Sequence, residues 1–122
     1  MSATLGKLST EELVSRFVEI GVRQDQAIFR DDNAAFNRLF DRMQAVQQEL
    51  KRRGGDQRRA LMPLYSHQNM QVRLMAAKST LAVAPEQARR MLEAIADSGW
   101  QPQAGDAGMC LISLDRGVFN PT

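Results

Sequence analysis

Arginine and lysine are crowded into one short stretch of this sequence, KRRGGDQRR, which runs from residue 51 to 59. Residues 51–90 carry nine basic and two acidic side chains, whereas residues 1–50 carry six and eight, and residues 91–122 carry one and four. Clustered cationic groups attract anions, so this distribution predicts a basic binding surface. Its candidate residues are Lys51, Arg52, Arg53, Arg58, Arg59, Arg89 and Arg90.

The positions of these charges in the predicted helices leave two explanations open. Lys51, Arg52 and Arg53 end a helix, where positive charge interacts favourably with the helix dipole. Arg58 and Arg59 fall in the first turn of the next helix, where the dipole opposes them by roughly a few tenths of a kcal/mol. Such a mismatch indicates a partner or an intramolecular acid, so the segment is either a binding surface or a solvated face paired with acidic N-terminal helices.

Side chains that could do covalent or metal chemistry do not form a constellation in this sequence. His67 is its only histidine and Cys110 its only cysteine, and no ligand spacing links them. We expect His67 to lie at a turn where a helix C-terminus favours the imidazolium, and Cys110 to be a small buried hydrophobe. The sequence therefore predicts no metal site and no cofactor.

An enzymatic function would need residues that work together, and Trp100 with Asp97 or Asp106 is the one such combination close in sequence. A helical-repeat DNA glycosylase could employ a tryptophan and an aspartate of this kind. The simpler interpretation is that Trp100 packs as an anchor for the C-terminal segment and that Asp106 caps a helix. We therefore expect that the chain is not an enzyme.

Length and composition indicate one soluble globular domain. The chain has 122 residues, of which 43% are hydrophobic and 25% charged, and its formal net charge is +2. A single cysteine excludes an internal disulfide framework and is typical of a reducing compartment. No apolar run approaches the roughly 20 residues needed to cross a bilayer, and the N-terminus lacks the pattern of a secretion signal. We expect a cytoplasmic protein that does not bind membranes.

Helical periodicity is nearly continuous, and no strand pattern interrupts it. Residues 9–53 predict a long antiparallel hairpin in which Ser9 and Glu12 form a capping box. Its second helix can be capped by Asp31, Asp32 or Asn33, and it buries a stripe of apolar side chains. That stripe consists of Phe36, Phe40, Met43, Val46 and Leu50.

Four shorter helices are predicted after Gly54, over residues 56–67, 69–83, 85–98 and 106–117. Pro63 should bend or end the first of them. On a wheel of about 100° per residue, the 69–83 helix has two apolar sides. One side contains Val72 and Ala76, and the other contains Leu74 and Ala77. A helix with two apolar sides is expected to lie between neighbours.

The segment from Ala60 to Ile95, ALMPLYSHQNMQVRLMAAKSTLAVAPEQARRMLEAI, resembles a HEAT-type repeat and the start of the next one. The resemblance lies in Pro63, Asn69, the pair Val72-Arg73, and the alanines that follow. FVEIG, NRLFDRM and PQAGDAGM together resemble a small bacterial family known as a domain of unknown function, with an α-α superhelical fold. The HEAT resemblance implies a scaffold that binds proteins or, less often, nucleic acids.

These observations combine into one fold prediction. We expect an all-α protein of about six helices, arranged as three hairpins in a HEAT- or armadillo-like α-α superhelix. Residues 1–122 would form a single domain made of the 9–53 hairpin, a HEAT-like region at 56–98 and a docking segment at 99–122. The HEAT-like position of Arg73 implies a structural ladder, in which its guanidinium bonds an acidic side chain or carbonyl groups between hairpins.

The expected function is a non-enzymatic protein–protein interaction module, such as a small bacterial adaptor or immunity-type protein. Its partner would be a protein with an acidic patch. The alternative is nucleic-acid binding through residues 51–59 and 89–90, which would weaken steeply with salt. A homodimer stays open, because terminal hairpins with an uncovered apolar face favour self-association.

Overall fold

The computed structural model describes residues 5–122, and helices occupy most of that range. In chain order they are α1 (Thr10–Phe29), α2 (Asn33–Arg52), a 3₁₀-helix (Gln57–Ser66), α3 (Met70–Ser79), α4 (Pro85–Ser98) and α5 (Gln103–Asp115). No strand occurs in this range, so the predicted all-α fold class of about six helices is confirmed. None of the described helices is long and apolar enough to span a membrane.

The helices fall into two compact units, Met1–Ala60 and Leu61–Thr122. The first unit contains the α1–α2 hairpin, and the second contains α3, α4 and α5. The prediction of a single domain with inner boundaries near residues 54 and 99 stays a prediction.

The hairpin begins at the predicted capping box. Ser9 Oγ accepts a hydrogen bond from the Glu12 N–H at 3.0 Å, and Glu12 Oε1 accepts one from the Ser9 N–H at 2.8 Å. α1 ends where Asp31 adopts a left-handed φ of 57°, a conformation that aspartate tolerates better than most residues. Asp32 then caps α2 by accepting a hydrogen bond from the Ala35 N–H at 3.0 Å. These caps fix a tight turn, so α1 and α2 run antiparallel.

The hairpin core follows the helical repeat closely. Leu13, Phe17 and Ile20 of α1 are buried. The buried apolar positions of α2 are Leu39, Met43, Val46 and Leu50. Phe40 was predicted in this stripe, and that prediction is wrong, because Phe40 is 42% exposed. The stripe passes through Leu39, from which Phe40 is rotated by about 100° around the helix.

The second unit has its own core, contributed by α3, α4, α5 and the turn between α3 and α4. Its buried members are Leu74, Ala77, Leu81, Ala88, Leu92, Ile95, Ala107 and Cys110. Leu74 and Ala77 represent one predicted apolar side of α3. Val72 and Ala76, on the other side, are also fully buried. The prediction that α3 is apolar on both sides is therefore confirmed.

Two predicted helix boundaries are wrong. α3 ends at Ser79 rather than near Val83, because the Thr80 hydroxyl donates to the carbonyls of Ala76 and Ala77 and the chain turns there. α5 starts at Gln103 rather than after Asp106. Pro102 occupies the N-cap position, and Gln101 just before it supplies the side-chain acceptor, since its Oε1 accepts a hydrogen bond from the Gly105 N–H at 3.0 Å.

Two further expectations change in the second half of the chain. The helix that contains Pro63 is a 3₁₀-helix over all ten of its residues rather than a bent α-helix. Proline cannot donate a backbone hydrogen bond, which weakens the α-helical alternative.

Trp100 was expected to pack as an anchor, and that expectation is wrong, because Trp100 is 62% exposed. It follows Gly99, whose left-handed φ of 70° ends α4 and turns the chain outward.

Candidate functional site

The end of α2 brings two of the predicted basic residues onto one buried carboxylate. Glu49 is only 5% exposed, and it accepts hydrogen bonds from Arg52 Nε at 2.8 Å and Arg53 Nε at 2.9 Å. The hydrogen bond from Arg53, with a further one from Arg52, holds the pKa of Glu49 below its ordinary value of 4.5. One carboxylate offsets only one of the two positive charges. The Arg53 side chain lies mostly inside the hairpin, whereas the Arg52 side chain is 66% exposed.

Arg53 also fastens the start of the described chain to the end of α2. Its Nη2 donates to the carbonyl oxygens of Leu5 at 3.2 Å and Leu8 at 2.6 Å. Its side chain is 19% exposed. Because five N–H groups in a fixed fork can serve several acceptors at once, one arginine closes this end of the hairpin.

Arg58 is buried as well, and it closes the turn after α2. Arg58 is 5% exposed. Its guanidinium makes a bidentate pair with Asp56, with Nε–Oδ1 at 2.9 Å and Nη2–Oδ2 at 2.7 Å. These hydrogen bonds lower the pKa of Asp56. Asp56 has a left-handed φ of 49°, and the pair holds that conformation in place.

The remaining members of the predicted basic surface differ from one another. Arg89 pairs with Asp115 at 2.9 Å and with Glu93 at 3.3 Å, contacts that raise its pKa. Arg59 and Arg90 are exposed, and neither side chain makes an ion pair or hydrogen bond with any residue in the 5–122 range. Lys51 is half-buried and lies near Asp56, whose pKa it helps to lower after the stronger effect of Arg58.

Arg73 and His67 both belong to the turn between the 3₁₀-helix and α3. Arg73 Nε donates to the His67 carbonyl oxygen. His67 Nδ1 accepts from the Asn69 N–H at 3.0 Å, and Asn69 Oδ1 caps α3 by accepting from the Val72 N–H at 3.1 Å. The turn is thus held by hydrogen bonds between near neighbours in the sequence.

The residues weighed for catalysis lie in ordinary structural surroundings. Cys110 is buried, and burial raises the pKa of its thiol. Asp106 pairs with Lys78 at 2.9 Å. Trp100 and Asp97 are exposed. No group of three or more His, Cys, Asp or Glu residues that could hold a metal ion occurs in the described part of the chain.

A groove that the sequence reasoning missed runs between α1 and α2 on one side of the hairpin. Its volume is about 480 Å³, within the range of roughly 300–1,000 Å³ that is common for ligand pockets. Its floor is apolar, and it consists of Leu5, Ile20, Leu39, Ala45 and Val46.

Arginines line both sides of this groove, and we call the side formed by each helix a bank. Arg16 and Arg23 lie on the α1 bank, and Arg42 lies on the α2 bank. A second recess of about 300 Å³ shares Arg23, Leu39 and Arg42 with the first, and it adds Arg30 and Arg38. We call the two recesses together the arginine groove, after Arg16, Arg23, Arg30, Arg38 and Arg42.

The side chains of these arginines are exposed and make few contacts with the rest of the described chain. The side chains of Arg30, Arg38 and Arg42 make no ion pair or hydrogen bond with residues 5–122. Arg23 reaches Glu19 at 4.0 Å, with both side chains more than half exposed, a contact that stabilises the fold little. Arg16 helps the stronger Ser9 hydrogen bonds to lower the pKa of Glu12. The guanidinium groups are thus available to an anion from outside.

The sequence does contain a signal for this groove. Arg16, Arg23 and Arg30 recur every seven residues, which places them on one flank of α1. Arg38 and Arg42 are four residues apart, so they share one flank of α2. The acidic excess of residues 1–50 hides both rows, because total charge does not record which side of a helix a residue occupies.

The fold and these motifs lie within a recognised family. Residues 11–115 match the family described as "Domain of unknown function (DUF2019)", so the chain belongs to that family. The match includes α2, α3 and α4, the five arginines of the groove and the basic segment.

A solved structure gives a second point of comparison. The chain is similar to the protein in "Crystal Structure of the Protein RPA1889 from Rhodopseudomonas palustris CGA009". The two are 54% identical with a TM-score of 0.95, over 97% of this chain and 98% of that one. The search of curated proteins finds no match.

Proposed function

We propose that this chain is a non-enzymatic protein–protein interaction module and that its arginine groove binds a partner protein with an acidic patch. The observation that carries the proposal is the placement of exposed, little-engaged arginines on both banks of an apolar floor. Arginine suits this role because its planar fork bonds carboxylates in bidentate geometry. The floor would supply apolar burial, and the banks would supply specificity.

Three features favour a protein over a nucleic acid as the occupant. Glu19, Asp32 and Asp41 stand among the arginines, where they would repel a continuous row of phosphates. A protein can instead match a mixed pattern of charges. The lining includes no aromatic side chain on which a base could stack. In the basic segment, Arg53 and Arg58 already have internal acceptors.

We also propose a HEAT-like character for residues 56–98 and a cytoplasmic adaptor or immunity-type role. The structure supports the first point through the Asn69 cap and through Ala76 and Ala77, which are fully buried and permit close helix packing. The absence of enzymatic activity is part of the same proposal.

The function is tested by affinity capture followed by quantitative binding. The immobilised chain recovers partners from native lysate, and the recovered protein is purified and titrated against three forms of the chain. These are the wild type, Arg23→Glu/Arg42→Glu in the groove, and Arg59→Glu/Arg90→Glu outside it. Both double variants change the net charge equally, so they separate groove binding from general attraction.

We expect affinity to fall about 100-fold for the groove variant, because two charge-assisted contacts become repulsive, and to change less than about 3-fold for the control. Equal affinity for the wild type and the groove variant would overturn the proposal. So would a loss confined to Arg59→Glu/Arg90→Glu, which would restore the basic surface predicted from the sequence. An oligonucleotide titration at about 50 mM salt is the parallel test of the nucleic-acid alternative.

A further inference from the structure

We propose that the occupant of the arginine groove is an amphipathic α-helix of the partner, with carboxylates spaced seven residues apart along one flank. This inference rests on the proposed function and specifies the partner's shape and charge pattern.

The walls of the groove argue for a helix rather than an extended peptide. Both walls are α-helices, whose backbone N–H and C=O groups are bonded within α1 and α2. An extended peptide over the apolar floor would find no sheet edge, and its own backbone groups would lose water without gaining partners. A helix satisfies its backbone internally, so it can bury side chains there without that cost.

The length of the groove fits a helix of several turns. Arg16 and Arg30 are 14 residues apart, which corresponds to about 21 Å along α1 at 1.5 Å per residue. The partner helix would lie along the furrow between α1 and α2, over the side chains of Ile20, Leu39 and Val46. Apolar residues at i, i+3, i+4 and i+7 of the partner would face this floor.

The arginine spacing sets the charge pattern of the partner. Arg16, Arg23 and Arg30 repeat every seven residues, so carboxylates at the same interval would stay opposite them as both helices advance. Arg38 and Arg42 on the other bank would meet a second pair of carboxylates four residues apart. Glu19 and Asp41 interrupt the banks and would favour a lysine or arginine at the facing positions of the partner.

The test uses fluorescence anisotropy with labelled synthetic peptides of about 18 residues, long enough to cover the groove as a helix. The first peptide has a leucine stripe and glutamates seven residues apart on one flank. A second has the same composition with the glutamates moved to the opposite face. A third has the first sequence with a central proline, which breaks the helix. A single-stranded oligonucleotide is the polyanion control. Each probe is titrated with the wild type, Arg23→Glu/Arg42→Glu and Arg59→Glu/Arg90→Glu.

The proposal expects the first peptide to bind the wild type at least about 10-fold more tightly than the other three probes. It expects that preference to disappear in Arg23→Glu/Arg42→Glu and to persist in Arg59→Glu/Arg90→Glu. Circular dichroism should show that the peptide gains helix on binding.

Different failures separate this inference from the proposed function. If the proline peptide binds as tightly as the first and still depends on Arg23 and Arg42, the helical occupant is wrong and the acidic-partner function stands. If the oligonucleotide binds most tightly and depends on the same arginines, both are overturned in favour of nucleic acid. If no probe distinguishes the groove variant from the wild type, the inference is overturned. The proposed function is then tested separately, by titrating the captured partner against the wild type and the groove variant.

Discussion

The basic segment at 51–59 and the arginine groove contain similar side chains in opposite structural surroundings. In the basic segment, Arg53 and Arg58 are mostly buried and each is bonded to a nearby carboxylate. In the groove, Arg30, Arg38 and Arg42 are exposed, and they make no such contacts within residues 5–122. The more conspicuous cluster in the sequence is therefore the one that stabilises the fold.

The difference arises from how each set is spaced along the chain. Arginines that are adjacent to a turn can fold back onto the carboxylates of that turn, as Arg58 does onto Asp56 two residues away. Arginines separated by a full heptad instead share one flank of a straight helix, where like charges stand about 10 Å apart. Arg23 reaches a carboxylate there, Glu19 at 4.0 Å, but both side chains are more than half exposed and the contact is weak. The arginines clustered in sequence thus include residues that are bonded within the fold, whereas the regularly spaced ones leave exposed guanidinium groups, which is why we propose the interface there.

The largest effect on folding should come from removing Arg58. Arg58→Ala leaves the Asp56 carboxylate without its bidentate partner and opens a buried position. We expect the free energy of unfolding to fall by about 2 kcal/mol, as measured by urea denaturation. Arg59→Ala, at the neighbouring exposed position, is the matched control and should change it by less than about 0.5 kcal/mol. Equal effects of the two variants would show that the buried Arg58 stabilises the fold no more than the exposed Arg59 does.

A smaller, pH-dependent effect should follow from Glu49→Gln. The pKa of Glu49 is lower in the folded chain than its ordinary value of 4.5, because Arg53 and Arg52 stabilise the carboxylate. Its contribution to stability is therefore fully present above about pH 4.5 and is lost as the pH falls through the folded-state pKa.

Denaturation of wild type and Glu49→Gln at a series of pH values measures this contribution. The variant should be less stable at pH 7, and the gap should narrow below pH 4.5. A gap that stays constant down to pH 3 would show that the Glu49 charge does not stabilise the hairpin end.

The smallest effect on folding is expected for single groove variants. Arg30→Ala and Arg38→Ala should each change the free energy of unfolding by less than about 0.5 kcal/mol, because the two side chains are exposed and hold no contact that stabilises the fold. Thermal unfolding followed by circular dichroism checks this. A loss as large as that of Arg58→Ala would show that the groove arginines are structural too.

Local rules predicted much of the fold. The capping box at Ser9, the Asn69 cap, Pro85 at the start of α4 and the Gly99 stop are all confirmed, since each depends on residues within one helical turn. The errors arose where a less usual side chain took over a local role. Gln101, rather than Asp106, supplies the side-chain acceptor at the start of α5, and the Thr80 hydroxyl helps to end α3 early.

The candidate site was less accessible to sequence reasoning. Each bank of the groove can be read from the spacing of its own arginines. The groove itself depends on which flank of α1 faces which flank of α2, and that register is set by the packing of Phe17, Met43 and Leu50. Likewise, no rule of spacing shows that Glu49 is buried beneath Arg52 and Arg53.

The most direct test of the contrast between these two regions is an NMR titration that follows the arginine Nε–H resonances. The acidic helical peptide described above is added to the labelled wild-type chain. We predict that the signals of Arg16, Arg23, Arg30, Arg38 and Arg42 shift with a common saturation curve, while those of Arg53 and Arg58 stay in place. Shifts concentrated at residues 51–59, with the groove arginines unchanged, would contradict the account.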